Sequence, residues 1–321
     1  MTAANPALAV TGASGRLGGL VLARIAELAG PAAVVALTRN PGAVTVPHVR
    51  ARHADFADPT TLPAALDGVR RLLVVSTDRS PGRLRLHAAV ITAAATAGVE
   101  HLVYTSVVRA GEPGNPVAEA ADHGATERLL ADSGVAHTVL RFNVWSEMLT
   151  YSRLAHRAVA TGSLPSSAGD GRTGFVSRGD TARAAAAVLA ADGPVDLTGA
   201  TGPTGLTGPT ALTGLVEGGD RPPVLNVTGP GVTDAEVAAA LTEATGRRVR
   251  HHPVADDEVP RALTALGLAE PVARGWGEND PARRAGWFDV PVDGLTHRLL
   301  GRAPTSLAAF FAGHRAELLA G

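Results

Sequence analysis

The stretch Leu8-Ala9-Val10-Thr11-Gly12-Ala13-Ser14-Gly15-Arg16-Leu17-Gly18 decides how the rest of the chain is read. A short apolar run ends in three glycines spaced by three. Residues 20–28 then carry apolar side chains at helical spacing. The order is strand, glycine turn, helix. Glycines at those positions allow a tight turn and close approach of backbone to a pyrophosphate, and the helix N-terminus offers amides and a favourable dipole. In a chain with 37 glycines the pattern alone is weak; its placement between a strand and a helix gives it meaning. The candidate contacts are Gly12, Ser14, Gly15, Arg16, Leu17 and Gly18. The competing reading is a glycine-rich turn without a ligand.

Working outward, short apolar runs recur at 33–37, 48–54, 72–75, 101–105 and 137–140. Helix-like segments at 59–66, 84–97 and 119–132 separate the later ones. Continuous apolar strands are expected where helices cover both faces of a parallel sheet. The alternation predicts an α/β fold, a Rossmann-type doubly wound parallel sheet, over residues 1–150. Residues 151–321 read as a smaller, partly interleaved substrate-capping region. Here we expect a helix over 145–160, an alanine-rich helix over 182–191 capped by Asp180, a strand at 224–227, a helix over 233–245 and a strand at 248–254. A Gly/Thr-rich insertion, about 196–222, reads as a loop, or more sharply as a lid; its few triplets cannot make a collagen helix. Of the 3 Trp, 2 Tyr and 6 Phe, only Phe56 and Tyr104 precede residue 142. Aromatic residues are ordinarily core, as expected of Phe310 and Phe311, yet a ring-rich cap also suits an apolar substrate pocket.

All 29 basic residues are Arg, and there is no Cys. Lysine Schiff bases, P-loop lysines, thiol catalysis, disulfides and iron–sulfur clusters are therefore excluded. A net charge of −1 implies no general attraction to nucleic acid or to an anionic membrane. No apolar stretch has the length of a membrane span and no leader pattern opens the chain, so the expected location is cytoplasmic. No metal is expected: His251 and His252 are adjacent and face opposite sides of a strand. The second strand runs into Thr38-Arg39-Asn40-Pro41. NAD sites usually place an acid there, whereas an Arg suits a 2′-phosphate, so NADP(H) is the expected cofactor. The alternative is one more solvent-exposed Arg. Asp55, ending the third strand, is expected to border the same cleft, and so are Ser76 and Thr77, ending the fourth.

The glycine turn, Thr38-Arg39-Asn40-Pro41, Tyr104-Thr105-Ser106 and the run from Asp122 to Arg141 together resemble the atypical short-chain dehydrogenase/reductases. More narrowly they are similar to the NmrA-like branch that includes type 2 NAD(P)H:quinone oxidoreductases. Ser167-Ala168-Gly169-Asp170-Gly171 and Ser177-Arg178-Gly179-Asp180 continue the likeness, which spans nearly the whole chain outside the Gly/Thr repeat. The wider superfamily reduces carbonyls with a Ser, a Tyr and a Lys, the last two as Tyr-x-x-x-Lys. This chain departs from that pattern. Val108 and Ala155 stand four residues after Tyr104 and Tyr151, His123 stands where the Lys would be, and Glu119 where the Tyr would be.

The resemblance implies three candidate catalytic residues: Ser106 as a donor to substrate, His123 as a ribose or substrate contact or proton donor, and Asn143 near the nicotinamide or substrate. The alternative readings are a strand-end cap for Ser106 and a helix-surface or core histidine for His123. The expected function is an NADPH-dependent reductase passing hydride to a quinone, or to a ketone on an aromatic, polyketide-like molecule of secondary metabolism. Such acceptors stabilise the product anion themselves, so protonation is expected from substrate, water or His123. A non-catalytic NADP-sensing regulator of the NmrA type is the alternative, since missing catalytic residues would suit it too. Oligomeric state is not legible in the sequence.

Overall fold

In the computed structural model, described over residues 7–77, 82–191 and 224–320, the expected strands form one sheet, except that at 248–254, which pairs with residues 163–166 in a separate two-stranded sheet. The Gly/Thr-rich insertion lies outside the described residues. The first half runs β1 (Leu8–Thr11), α1 (Arg16–Ala29), β2 (Val34–Thr38), β3 (Arg50–His53), α2 (Leu62–Leu66), β4 (Arg71–Val74), α3 (Arg83–Thr96), β5 (His101–Val107), α4 (Ala118–Asp132) and β6 (Ala136–Phe142). It continues through α5 (Glu147–Tyr151), α6 (Leu154–Thr161), β7 (Ser163–Ser166), β8 (Thr173–Gly174) and α7 (Arg178–Ala190). After the insertion come β9 (Val224–Val227), β10 (Gly231–Val232), α8 (Asp234–Thr245), β11 (Arg250–Pro253), α9 (Val259–Ala265) and α10 (Glu270–Arg284).

The sheet order is β3-β2-β1-β4-β5-β6-β9, and every pairing is parallel. The order reverses at β1, so the crevice opens above the glycine turn. Alternate residues point to opposite faces, as the period of two demands. Val10, Val34, Ala36, Leu73 and Val103 face α1 and α7. Ala9, Val35, Leu37, Leu72, Leu102 and Tyr104 face α2, α3 and α4. A third apolar cluster, with Leu154, Phe175, Val237, Leu263, Phe310 and Phe311, forms the core of the cap. The main sheet thus recovers a helix and a strand, α7 and β9, from beyond residue 150.

Two local expectations are corrected. The helix over 145–160 is two helices, because Arg153 takes a left-handed conformation (φ 67°) between α5 and α6. The helix cap is Ser177 and not Asp180: the Ser177 hydroxyl accepts the amide of Asp180 at 3.0 Å. The Asp180 carboxylate instead bonds Arg302 and the amide of Thr305.

Candidate active site

The glycine turn is built as its residues require. Gly12 sits at φ 59°, a conformation that only glycine adopts at no cost. Gly15 N–H donates to Gly12 O at 2.8 Å and closes the turn. A Cβ on Gly18 would lie 2.2 Å from Gly12 O, so α1 packs onto the turn with no room for a side chain. The helical ladder begins with Gly19 N–H to Gly15 O. The amides of Arg16, Leu17 and Gly18 make no backbone hydrogen bond among the described residues. Unpaired amides converging at a helix start are suited to a diphosphate. The Leu17 side chain is buried, so only its amide faces the crevice. Ser14 Oγ lies 2.6 Å from Thr38 Oγ1 and ties the turn to the end of β2.

Arg39 is exposed beside that tie. Its carbonyl accepts from His53 Nδ1 at 3.1 Å, and its guanidinium takes part in no described hydrogen bond or ion pair. A free cation at the end of β2 fits a 2′-phosphate. Asp55 is half-buried and spends one oxygen on its own turn, accepting from Ala57 N–H at 2.9 Å. These features test whether the chain suits NADP(H), and they fit: a cradle that a Cβ would fill, three unpaired amides and a free guanidinium.

Side chains from three elements hold the backbone that follows β4. Thr11 Oγ1 accepts from Val75 N–H at 2.9 Å, Thr105 Oγ1 from Ser76 N–H at 2.8 Å, and His87 Nε2 from Thr77 N–H at 3.1 Å. Ser76 and Thr77 therefore border the crevice with their amides already engaged. The Thr77 bond fixes the His87 tautomer. Its proton sits on Nδ1 and is given to Thr126 Oγ1 at 2.9 Å, and that hydroxyl donates to Asp122 O. Burial, reinforced by the Arg83 charge, pushes His87 down to about 4.

His123 lies in the same buried layer, 3 % exposed. Arg83 Nη2 donates to its Nε2 at 2.7 Å, and a guanidinium cannot accept. The imidazole proton is therefore on Nδ1 and is donated to Tyr104 Oη at 2.8 Å. Burial, then the Arg83 charge, pushes His123 down to about 2. Burial raises the Tyr104 phenol above its ordinary value, the nearby Thr126 hydroxyl opposing it. Ser106 is closed off separately. Its hydroxyl donates to Glu127 Oε1 at 2.6 Å, and Arg141 holds the same carboxylate at 2.6 and 3.0 Å. The Asn143 amide donates to Thr228 Oγ1 at 3.0 Å and Phe288 O at 2.9 Å, and accepts from Val144 N–H at 2.9 Å. Ser106, His123 and Asn143 thus belong to three networks that share no hydrogen bond among the described residues. Each is more than nine-tenths buried.

On the cap side the crevice wall is aromatic and cationic. Tyr151, on α5, is 47 % exposed. Arg16 stacks 4.0 Å from its ring centre and Arg178 4.5 Å. Arg178 also lies 4.5 Å from the Trp145 ring, and its amide donates to the Glu147 carboxylate at 2.9 and 3.0 Å.

The family described as NAD(P)H-binding matches residues 12–192, which contain the glycine turn, α3, α4 and the start of the cap. The chain belongs to this NAD(P)H-binding family. With the relatives that follow, this places it among the atypical short-chain dehydrogenase/reductases. It is 32 % identical to quinone oxidoreductase 2 of Escherichia coli, over 94 % of this chain and 96 % of that one. A crystal structure of that E. coli protein complexed with NADPH superposes with TM-score 0.78 at 30 % identity, covering 95 % of this chain and 99 % of that one. The NAD(P)H azoreductase of Xenophilus azovorans is 31 % identical, over 84 % of this chain and 83 % of that one.

The turn, Arg39 and the strand ends, expected from the sequence as cofactor contacts, border this one crevice. Arg83, His87, Tyr151 and Arg178 stand beside them with no role expected from the sequence. Arg83 and His87 share one face of α3 at a spacing of four, a pattern that flags a pair reaching the same neighbour. Arg178 belongs to the Ser177-Arg178-Gly179-Asp180 run, where nothing local in the sequence gives it a role.

Proposed function

We propose that the chain is an NADPH-dependent oxidoreductase that reduces quinones, or aromatic ketones flanked by a phenolic hydroxyl. The observation that carries this reading is the absence of an available acid near neutral pH among the candidate residues. His123 is neutral and closed in by Arg83 and Tyr104. The Ser106 proton is committed to a carboxylate that Arg141 already pairs. Tyr104 is fully buried. NADPH, when bound, supplies the hydride. A quinone becomes a stabilised phenolate on receiving it and needs no protein acid in the same step, water supplying the proton afterwards; a 2-hydroxyaryl ketone becomes an alkoxide that takes the proton of its own phenol, leaving a phenolate for water to protonate. The names and cofactor complexes of the relatives support quinone-type acceptors and NADPH.

The side chains described above have other tasks. Arg39 selects the 2′-phosphate by charge. The glycine turn and the amides of Arg16, Leu17 and Gly18 seat the diphosphate. Thr11, Thr105 and His87 fix the backbone at the end of β4, so the floor of the crevice is rigid. Positioning then contributes most of the protein's share of the rate. His123 and Asn143 act here as positioning residues, one locking β5 to α3 and α4, the other locking β6 to the cap. A series of acceptors tests the reading. Quinones and 2-hydroxyaryl ketones are reduced, while matched aryl ketones lacking the hydroxyl are not. Equal turnover of the unactivated ketones would mean that the protein supplies the acid after all.

A further inference from the structure

Among the described residues three arginines are buried: Arg83, Arg178 and Arg283. Arg283 is finished. It sits between Asp234 and Asp280 and also donates to Thr173 Oγ1 at 3.0 Å. Arg83 donates to His123, with its Nε left unpaired. Arg178 stands at the crevice beside a second cation. It is 6 % exposed, and its Nη1 is buried without any hydrogen-bond partner. Its neighbours are two aromatic rings, the Tyr151 hydroxyl and Glu147. The nearby Glu147 carboxylate is taken up by the Arg178 backbone amide. A second cation, Arg16, shares the Tyr151 ring.

Burying an incompletely paired charge is costly, and placing a like charge beside it adds repulsion. Arg16 and Arg178 are also the first residues of α1 and α7, helices of 14 and 13 residues, so two positive helix ends meet at the same place. Ring stacking and the nearby Glu147 offset part of this cost; an anion would offset more. The site is continuous with the unpaired amides of Arg16, Leu17 and Gly18. We propose that Arg178 and Arg16 form a two-guanidinium clamp for the diphosphate of NADP(H), with phosphate oxygens as the acceptors that Arg178 Nη1 lacks. Tyr151, itself 47 % exposed, covers Arg178 and has to turn aside for phosphate oxygens to reach the buried Nη1. The inference rests on the NAD(P)H assignment of the glycine turn and not on the identity of the acceptor. The same chemistry could come from a sulfonate or carboxylate on the substrate, and the test separates the two sources.

The full chain carrying Arg178→Met or Arg178→Lys is titrated with NADPH, NADH, ADP-ribose and adenosine 2′-monophosphate, following intrinsic tryptophan fluorescence and without turnover. Arg178→Met is expected to weaken NADPH, NADH and ADP-ribose by a common factor of about ten or more, and to leave the monophosphate unchanged. Arg178→Lys should recover part of the loss. Unchanged binding of all three diphosphates overturns the proposal. So does unchanged coenzyme binding with a raised KM for a sulfonated naphthoquinone but not for its neutral parent, which would place the anion on the acceptor. If Arg178→Met does not fold, Arg16→Gln at an exposed position carries the same test: a common loss of about threefold or more across the diphosphates supports the clamp, and no loss refutes it.

Discussion

Gly18 and Gly19 are neighbours on α1, and the structure assigns them opposite responses to the same methyl group. On Gly18 a Cβ would stand 2.2 Å from Gly12 O and 2.7 Å from Gly12 C. Both are backbone atoms, so no side chain can swing aside. Restoring ordinary contact requires the turn and the helix to part by about 1 Å, an overpacking that costs about 1–3 kcal/mol. A displacement of about 1 Å at a binding constellation costs on the order of a hundred-fold. On Gly19 the nearest atom is Ala13 O at 3.5 Å, ordinary contact. There the methyl group brings the helix-propensity gain of about 1 kcal/mol. Gly18→Ala should therefore weaken NADPH binding about a hundred-fold and lower Tm. Gly19→Ala should bind within about twofold of the parent and raise Tm. Coenzyme titration by fluorescence and thermal unfolding of both variants read the two quantities separately. Native NADPH affinity in Gly18→Ala would refute the close-packed turn, and so would damage confined to Gly19→Ala.

Further outcomes follow from the same geometry. Arg39→Ala should reduce NADPH affinity about ten- to a hundred-fold while leaving NADH within about twofold, because one charge-assisted contact is lost; an unchanged ratio in paired titrations contradicts the 2′-phosphate role. Ser106→Ala and His123→Ala should each lower kcat by less than about a hundred-fold, below the usual contribution of a general acid, and a loss of about ten-thousand-fold in either would make that side chain the acid. Stability should fall on acidification. His87, His101 and His123 titrate near 6.5 when unfolded, but in the fold at about 4, about 4 and about 2. Below 6.5 the unfolded chain binds more protons than the native one, so stability is full above that value and is lost as pH falls. Urea unfolding between pH 7 and pH 5 should show it; a flat profile would mean that these rings are not held neutral.

The fold was legible in the sequence because its signals are local. Continuous apolar strands, helical spacing and a glycine turn near the start each report on a dozen residues or fewer. The catalytic assignments were not legible in the same way. Ser106, His123 and Asn143 were placed by position along the chain, and position does not say where a side chain's hydrogen bonds go. Glu127 and Arg141 claim Ser106 from α4 and β6, and Arg83 claims His123 from α3. Those partners are brought together by packing alone. Arg178 meets Arg16 across more than half the chain for the same reason: α1 and α7 lie side by side on one face of the sheet. The Ser177 cap was missed by preferring the acid in the first turn to the hydroxyl before it. The break at Arg153 carries no Gly or Pro to announce it.

The central claim is that this chain catalyses hydride transfer from NADPH without a protein acid. Its most direct test is multiple-turnover consumption of NADPH by the wild-type protein with a naphthoquinone under anaerobic conditions, followed by nicotinamide absorbance across neutral pH. The account predicts many turnovers, hydroquinone formed in equal amount, NADPH preferred to NADH, and no rate limb from a titrating histidine near 6.5. Tight NADPH binding with no consumption by any quinone would contradict it and leave a cofactor-sensing protein in its place.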